Sequence, residues 1–313
     1  MAFPLKDARS QISPDRHDNP NPSMVSGSLY RDRVLLRWVK LAAMPTVIGL
    51  VVLIASTTRE AISDEIGPVL FQCDFESETW WEEWGEKKLD RHATTLTTDA
   101  EQKFEPHRGR ALRIAVDQGG HYGLSLSYRF KRQLGYEPEE IYFRYYIRLA
   151  DDWDPERGGK FPGIGGTYGR AGWGGRKVNG TDGWSARGLF KGQESGTTPI
   201  GFYCYHADMK GTYGDNFIWN ENGFRGLDNN RWYCIEQFAK MNTPGKNDGV
   251  LRAWVDGQPV FERLDIRMRD VSNLKIETIW LNVYYGGTWT AATPHHLYID
   301  DVEISTQRIG PIR

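Results

Sequence analysis

The chain has 313 residues and a formal net charge of −2, a length that fits roughly one large domain with an N-terminal appendage. The near-neutral charge and the lack of a basic stripe argue against a nucleic-acid partner, whereas a locally charged cleft still permits an acidic ligand. Three cysteines, Cys73, Cys204 and Cys234, are too few for a disulfide framework. Spacing leaves open whether Cys204 and Cys234 pair or are buried separately.

The N-terminal segments differ in composition from the rest of the chain. Residues 1–30 are rich in polar residues and proline, which predicts a disordered tail. Residues 31–58 combine a basic flank with the apolar run Leu41–Ala55, typical of a signal peptide or signal anchor. Since the basic residues precede the apolar run, we expect the following domain to be exported. It is then secreted, or held by one N-terminal transmembrane segment if that segment is uncleaved; a buried helix is the alternative.

After a linker at residues 59–67, the pattern from residue 68 to residue 309 is that of short strands separated by turns. In Ile141–Leu149 the odd positions are apolar or aromatic and the even positions are polar or aromatic, an alternation typical of β-strands. Other predicted strands are Leu112–Val116, Leu124–Phe130, Gly201–Tyr205, Trp232–Lys240, Val250–Val255, Thr278–Tyr284 and Leu297–Ser305. We therefore predict one all-β sandwich of jelly-roll type, expected to be a monomer.

Lysine, arginine, serine and tyrosine side chains recur in neighbouring predicted strands. Residues two apart leave a strand on one face, so Ser185 and Arg187 share a face, as do Tyr203 and Tyr205. Lys160 follows two glycines in another such segment. These residue types suit β-elimination on a polyuronate: arginine neutralises the sugar carboxylate, and lysine or tyrosine moves the protons. The alternative is that the tyrosines only pack and Lys160 is a solvated loop residue.

Six ordered motifs resemble polysaccharide lyase family 14 and its glucuronan-lyase-like and heparin-lyase-I-like relatives over about residues 105–305. They are Gly158–Gly163, Ser185–Arg187, Tyr203–Tyr205, Met241–Gly249, Trp254–Gly257 and Trp280–Gly287 with Trp289. The resemblance implies a concave, concanavalin A-like jelly-roll sheet and metal-independent elimination that requires no cofactor. It implies that Lys160, Ser185, Arg187, Tyr203 and Tyr205 line the catalytic face, and leaves the division of base and acid open. The segment Ile164–Gly175 departs from the family pattern, which bears on the substrate more than on the fold.

Five further residues are candidates for sugar binding. They are Arg144 and Tyr146 on the polar face of their strand, Asn282 and Tyr284 near Gly286-Gly287, and His121, for which assistance in proton transfer is an alternative role. Each also has a plainer interpretation: a solvated face for the first pair, packing for the second, and a structural role for the histidine.

Acidic residues in the first and last strands form a candidate metal site. In jelly rolls these two strands often pair, and facing carboxylates such as Glu76 and Asp301 would repel each other unless a hard cation such as Ca²⁺ bridged them. Solvation of the carboxylates is the alternative to a structural calcium.

Three functions remain in competition on the sequence alone. The first is an exported polysaccharide lyase that acts on an acidic polysaccharide such as alginate or a glucuronan. The second is a non-catalytic carbohydrate-binding jelly roll, in which aromatic stacking supplies the affinity. The third, a glycoside hydrolase, is disfavoured because the paired-carboxylate motif Glu-x-Asp-x-x-Glu is absent.

Overall fold

The computed structural model describes residues 68–85, 93–192 and 196–312, all within the compact unit Ile62–Arg313. The predicted tail, basic flank, apolar run and linker lie outside the described residues. Within the described ranges, no helix combines the length and apolar character needed to cross a bilayer.

The first sheet has eight strands, and every pairing in it is antiparallel. Seven strands lie in the order β12-β11-β10-β5-β14-β3-β2, and β1 pairs with β14. Their bounds are β1 Val69–Cys73, β2 Ala93–Leu96, β3 Ala111–Val116, β5 Glu140–Leu149, β10 Trp232–Lys240, β11 Gly249–Val255, β12 Gln258–Ile266 and β14 His295–Ser305.

The second sheet has six antiparallel strands in the order β4-β13-β6-β7-β8-β9. Their bounds are β4 Tyr122–Arg129, β6 Gly159–Gly166, β7 Trp184–Phe190, β8 Ile200–Tyr205, β9 Asp215–Ile218 and β13 Thr278–Tyr285. The two short α-helices of the described chain are α1 Trp80–Glu83 and α2 Phe130–Leu134. The predicted all-β sandwich is confirmed, and Phe130 begins α2 instead of ending a strand.

The core lies between the two sheets because alternate side chains of each strand point inward. On β5, Phe143, Tyr145 and Ile147 are buried in the same cluster as Phe161 of β6 and Leu281 of β13. Burial of such side chains contributes about 1.5–3 kcal/mol each. The alternation predicted for Ile141–Leu149 is therefore confirmed on its apolar side.

All three cysteines are free and buried. Cys204 lies on β8 of the second sheet, and Cys234 lies on β10 of the first. The Cys204–Cys234 bridge left open by the sequence is therefore not formed. Burial raises the pKa of the Cys234 thiol to about 12, as expected for an inert, structural cysteine.

Gly163 lets β6 and β7 approach closely at the centre of the second sheet. The pairing of the two strands shifts register between Phe161 and Ile164, which is the mark of a β-bulge. A Cβ atom on Gly163 would lie 2.5 Å from the Cα of Arg187 and 2.5 Å from the nitrogen of Gly188. Only glycine fits this position without displacing the strand that carries Arg187.

Gly163→Ala is expected to destabilise the domain by about 1–3 kcal/mol, because the added methyl group overpacks against the β7 backbone. Gly165→Ala is the matched control on the same strand, since its Cβ would meet nothing closer than Ser185 Cβ at 3.5 Å. Urea unfolding of both variants measures the difference. Equal stability would contradict the close approach.

Candidate active site

The candidate residues meet on the outward face of the second sheet, where backbone pairing fixes their order. Arg187 of β7 pairs with Tyr203 of β8, and Ser185 pairs with Tyr205. On the other side of this pair of strands, Lys160 of β6 pairs with Tyr284 of β13. Since paired residues on neighbouring strands point to the same side of a sheet, all six side chains share one face.

Lys160 is half-buried, and no carboxylate of the described residues pairs with it. Its ammonium nitrogen contacts the carbonyl of Gly159 at 3.4 Å and lies 3.9 Å from the ring centroid of Tyr203. Burial first, and then the positive charges of Arg187 and Lys191, lower the pKa of Lys160 to about 7. A large share of Lys160 is therefore neutral near pH 7, which an ordinary lysine is not.

Arg187 is also buried and is held in place by uncharged groups. Its guanidinium donates a hydrogen bond to Asn282 Oδ1 and lies over the Trp280 ring, 4.4 Å from the centroid. Burial lowers the pKa of Arg187 to about 10, so it stays charged at neutral pH. Its Nε atom is buried without a hydrogen-bond partner. The charge is thus oriented but not neutralised, as a site for a carboxylate requires.

The two tyrosines differ in what surrounds them. Tyr203 is half-buried beside Lys160, and its hydroxyl accepts a hydrogen bond from the Gly214 backbone at 3.1 Å. Burial and the neighbouring Tyr205 raise the pKa of Tyr203, so it keeps its proton at neutral pH. Tyr205 is fully buried, and its hydroxyl accepts a hydrogen bond from the Gly175 backbone at 3.0 Å.

Ser185 is likewise fully buried. Its hydroxyl donates a hydrogen bond to the carbonyl of Gly172 at 2.6 Å. Ser185 and Tyr205 therefore share the predicted face with Lys160, but both are covered by the loop that joins β6 and β7. Their hydrogen bonds fix that loop in place. Lys160, Arg187 and Tyr203 surround the part of the face that the loop leaves open.

Asn282, Tyr284 and His121 lie beside this group. The amide nitrogen of Asn282 donates to the Leu124 carbonyl at 2.9 Å, which turns its oxygen toward Arg187. The His121 ring stacks on Tyr284 with centroids 5.3 Å apart. His121 Nδ1 donates to the Tyr285 carbonyl at 2.9 Å, so in the neutral ring Nε2 carries no proton. The structure brings all three to the predicted face, and their part in sugar binding stays a prediction.

Arg144 and Tyr146 are placed elsewhere, and their prediction as an extension of the same groove is wrong. Both lie on β5 of the first sheet and point away from the core. Arg144 forms a buried ion pair with Glu303 at 3.0 Å. Tyr146 stacks on the His107 ring with centroids 3.9 Å apart. A cavity of about 500 Å³ on this side is lined in part by Arg144 and Arg108. Alternation correctly paired the two residues but could not tell which sheet carries them.

A separate acidic cluster lies where β14 changes partner. Its first part pairs with β3 up to Ile299, and its last part pairs with β1 from Val302. Between them a bulge, with Asp301 at φ 46°, turns Asp300 and Asp301 to one place. Ligand atoms of these two residues and of His107 lie within 4.8 Å of one another. The predicted pairing of first and last strands is confirmed, and His107 is a member of the cluster that the sequence did not suggest.

Two observations bear on whether this cluster fits a cation. Asp300 Oδ2 is buried without a hydrogen-bond partner. Burial, Asp301 and the charge of Glu76 raise the pKa of Asp300 to about 8, so Glu76 lies close enough to act on it. Carboxylate oxygens are the donors that Ca²⁺ prefers, and the residues present fit such an ion.

One residue that affects the pKa of Lys160 was not identified from the sequence. Lys191 follows β7, is half-buried and contributes to the lowered pKa of Lys160. A lone lysine after a strand carries no pattern, so no sequence signal marked it. None of the residues pointing outward from β4, β6, β7, β8, β9 and β13 is acidic, which makes this face cationic although the whole chain is slightly negative.

The fold and this face define a jelly-roll protein with a cationic, tyrosine-containing site. Residues 115–302 match the family description Polysaccharide lyase 14. The chain therefore belongs to the polysaccharide lyase 14 family and is a polysaccharide lyase. A comparison with curated proteins by sequence found no match. The predicted family and enzyme class are confirmed.

Three solved polysaccharide lyases have the same fold as this chain. The alginate lyase Aly36B superposes with a TM-score of 0.58 at 18% identity, covering 78% of this chain and 96% of its own. The alginate lyase of Aplysia kurodai gives 0.57 at 19% identity, covering 76% and 99%. The endo-β-1,4-glucuronan lyase of the fungus Trichoderma reesei gives 0.52 at 15% identity, covering 76% and 96%. At these identities the likeness concerns the fold, and it confirms the jelly-roll class.

The pKa of Lys160 is expected to rise from about 7 when Arg187 is replaced by glutamine, because the charge of Arg187 helps to lower it. NMR titration of labelled lysine side chains measures the shift. Arg252→Gln, on the first sheet, is the control and should leave the titration unchanged.

If Lys160 is the base, kcat/KM of the wild type increases as the pH passes upward through the pKa of Lys160, since the neutral amine is the reactive form.

Proposed function

We propose that this polysaccharide lyase cleaves a uronate-containing polysaccharide of the alginate or glucuronan type by β-elimination. The observation that carries the proposal is the acid-free face on which Lys160, with its lowered pKa, lies beside Tyr203 and near the unneutralised Arg187. The related structures support it through their substrates. One of them is a variant of Aly36B, with a lysine and a tyrosine changed to alanine, in complex with alginate tetrasaccharide.

Arg187 is the group that binds the sugar carboxylate. A carboxylate next to C5 makes the C5 proton hard to remove, because the negative charge that develops there is repelled. The guanidinium of Arg187 neutralises that charge, and Asn282 and Trp280 keep it in one orientation. Preorganised positive charge in a desolvated site stabilises the developing charge far more than it would in water.

Lys160 and Tyr203 divide the two proton transfers. The neutral amine of Lys160 takes the C5 proton, and the C–H electron pair becomes the C4–C5 double bond. The C4–O bond breaks, and the departing oxygen takes the phenol proton of Tyr203. The products are an unsaturated uronate and a new reducing end. The assignment follows from the pKa directions: burial favours the neutral lysine and the protonated phenol.

The proposed reaction draws its charge neutralisation and both proton transfers from side chains, so the proposal requires no cofactor in the cleft. We also propose that a structural cation such as Ca²⁺ binds the carboxylates of Asp300 and Asp301 in the cluster that also contains His107, with Glu76 near enough to act on Asp300. The unpartnered, buried Asp300 Oδ2 supports this. Export of a monomeric enzyme remains part of the proposal and rests on the sequence pattern of residues 31–58.

Elimination is tested by the ultraviolet absorbance of the unsaturated uronate. Residues 60–313 would be incubated with polymannuronate, polyguluronate, glucuronan, hyaluronan and heparin in the presence of a chelator. A rise in absorbance on one polymer is the expected result and names the substrate. Binding of a polymer without a rise would favour a non-catalytic binding protein, and reducing ends formed without absorbance would favour a hydrolase.

Lys160→Ala is expected to lower kcat at least about 100-fold, because a positioned base contributes that much or more. Its thermal stability should be unchanged or slightly higher, since Lys160 is half-buried and pairs with no carboxylate of the described residues. The control is Lys246→Ala, which removes an exposed lysine far along the chain. A large loss of stability in Lys160→Ala would contradict the catalytic assignment.

Calcium is expected to raise the melting temperature of the chelator-treated protein by a few degrees if the proposed cation site is real. Asp301→Asn should abolish the rise, whereas Glu262→Gln, an exposed carboxylate of β12, should keep it. Differential scanning calorimetry with Ca²⁺ and with chelator measures the effect. Identical melting curves in the two conditions would reject the site.

A further inference from the structure

A second group of cationic and aromatic side chains lies beside the reacting centre. It belongs to two loops, residues 167–183 between β6 and β7 and residues 206–214 between β8 and β9. Both loops leave the same end of the second sheet, since Gly166 pairs with Trp184 and Ser185 pairs with Tyr205. We call this surface the basic end; its members are Arg170, Trp173, Arg176, Lys177, Lys210 and Tyr213.

The two loops are held in place by buried groups of the sheet. The Ser185 hydroxyl binds the Gly172 carbonyl, and the Tyr205 hydroxyl binds the Gly175 amide. Tyr205 also packs in one apolar cluster with Ala171, Val178 and Met209. Lys177 Nζ donates to the Lys210 carbonyl at 3.3 Å and so connects one loop to the other. The basic end is therefore fixed relative to the catalytic face.

The four cations of the basic end carry no ion pair with any carboxylate of the described chain. The two loops contain two acids, Asp182 and Asp208, against four cations. Asp208 pairs with Arg267 at 3.0 Å, and Asp182 accepts a hydrogen bond from the Asn179 backbone at 3.1 Å; Asp215 beyond the second loop pairs with His206 at 2.8 Å. The positive charge is thus in excess over two adjoining loops, which attracts an anionic ligand.

The aromatic residues of the basic end are suited to sugar rings. Tyr213 is 65% exposed, and Gly175 lies against its ring, since a Cβ there would be 3.2 Å from Tyr213 Cε1. Trp173 is half-buried, with the Arg176 guanidinium 4.4 Å from its ring centroid. Exposed rings next to unpaired cations match an acidic sugar chain, which presents apolar ring faces and carboxylates in alternation.

The basic end adjoins Tyr203 and not Lys160. The rings of Tyr203 and Tyr205 are 5.5 Å apart, and the backbone amides of Gly214 and Gly175 contact the hydroxyls of Tyr203 and Tyr205 respectively. In the proposed reaction Tyr203 protonates the departing oxygen, which stays with the sugars toward the non-reducing end. The order Lys160, Tyr203, basic end therefore places those departing sugars on the loops.

We propose that the basic end is a binding site for the uronate residues on the leaving-group side of the cleaved bond. The site rests on the proposed elimination and adds to it a position for carboxylated sugars beyond the catalytic face. It gives a function to the glycine-rich segment that departs from the family pattern.

The test compares Arg176→Gln/Lys177→Gln with Arg231→Gln/Lys240→Gln. The control pair removes the same two charges just before β10 and at its end, where Arg231 pairs with Asp256 and lies over the Tyr233 ring, and Lys240 pairs with Glu140. With the polymer that the wild type cleaves, the first variant is expected to raise KM about tenfold, with kcat within about twofold and a weaker salt dependence. The control variant should keep the wild-type KM. Calorimetric melting confirms that both are folded.

Cleavage of a hexasaccharide labelled at its reducing end locates the lost contacts. The Arg176→Gln/Lys177→Gln variant should shift the cut toward the non-reducing end, because longer leaving groups no longer gain from the loops; Tyr213→Ala should shift it likewise. An unchanged KM and cut position, or a shift toward the reducing end, would overturn the proposal. Failure of the wild type to form unsaturated products would instead reject the elimination itself.

Discussion

The desolvation of two like charges on one sheet face is the constraint on which the site depends. Lys160 is half-buried and Arg187 is buried, and neither pairs with a carboxylate of the described chain, which is a costly arrangement. The sandwich tolerates it because cation–π contacts with Tyr203 and Trp280, and an amide oxygen from Asn282, replace part of the lost water. The same desolvation that costs stability lowers the pKa of Lys160, so that its neutral amine is populated near pH 7. It also leaves the charge of Arg187 without a neutralising partner among the described residues.

Antiparallel pairing converts this constraint into a geometry. The strands β13, β6, β7 and β8 lie side by side, so residues distant in sequence stand in rows across the sheet. The strand register places Arg187 opposite Tyr203 and Lys160 opposite Tyr284. A slip of one residue in this register would turn these side chains toward the core. The bulge at Gly163 lets β6 approach β7 closely. Gly163 therefore affects the position of Arg187 on β7, although it contributes no side chain to the site.

The sequence predicted the parts of the fold and of the candidate site that depend on the alternation of residues along a strand and on the motifs. The faces of β5 follow from alternation, and the shared face of Lys160, Arg187 and Tyr203 follows from the resemblance. Arg144 and Tyr146 were misplaced because alternation reports that two residues share a face, and a sandwich has two outward faces. The burial of Ser185 and Tyr205 could not be predicted from the sequence, because the loop that covers them is rich in glycine and has no periodic pattern that indicates its path.

The pairing of β1 with β14 joins the two ends of the domain. Val69 stands opposite Ser305, and β1 has no other neighbour among the described strands. During synthesis the apolar edge of β1 emerges early and stays unpaired until nearly the whole domain has been made. An open edge of this kind is a template for association with other chains. Within the described domain, the last strand to be synthesised is thus the one that covers the first, and the nascent domain is most prone to aggregate just before β14 is made.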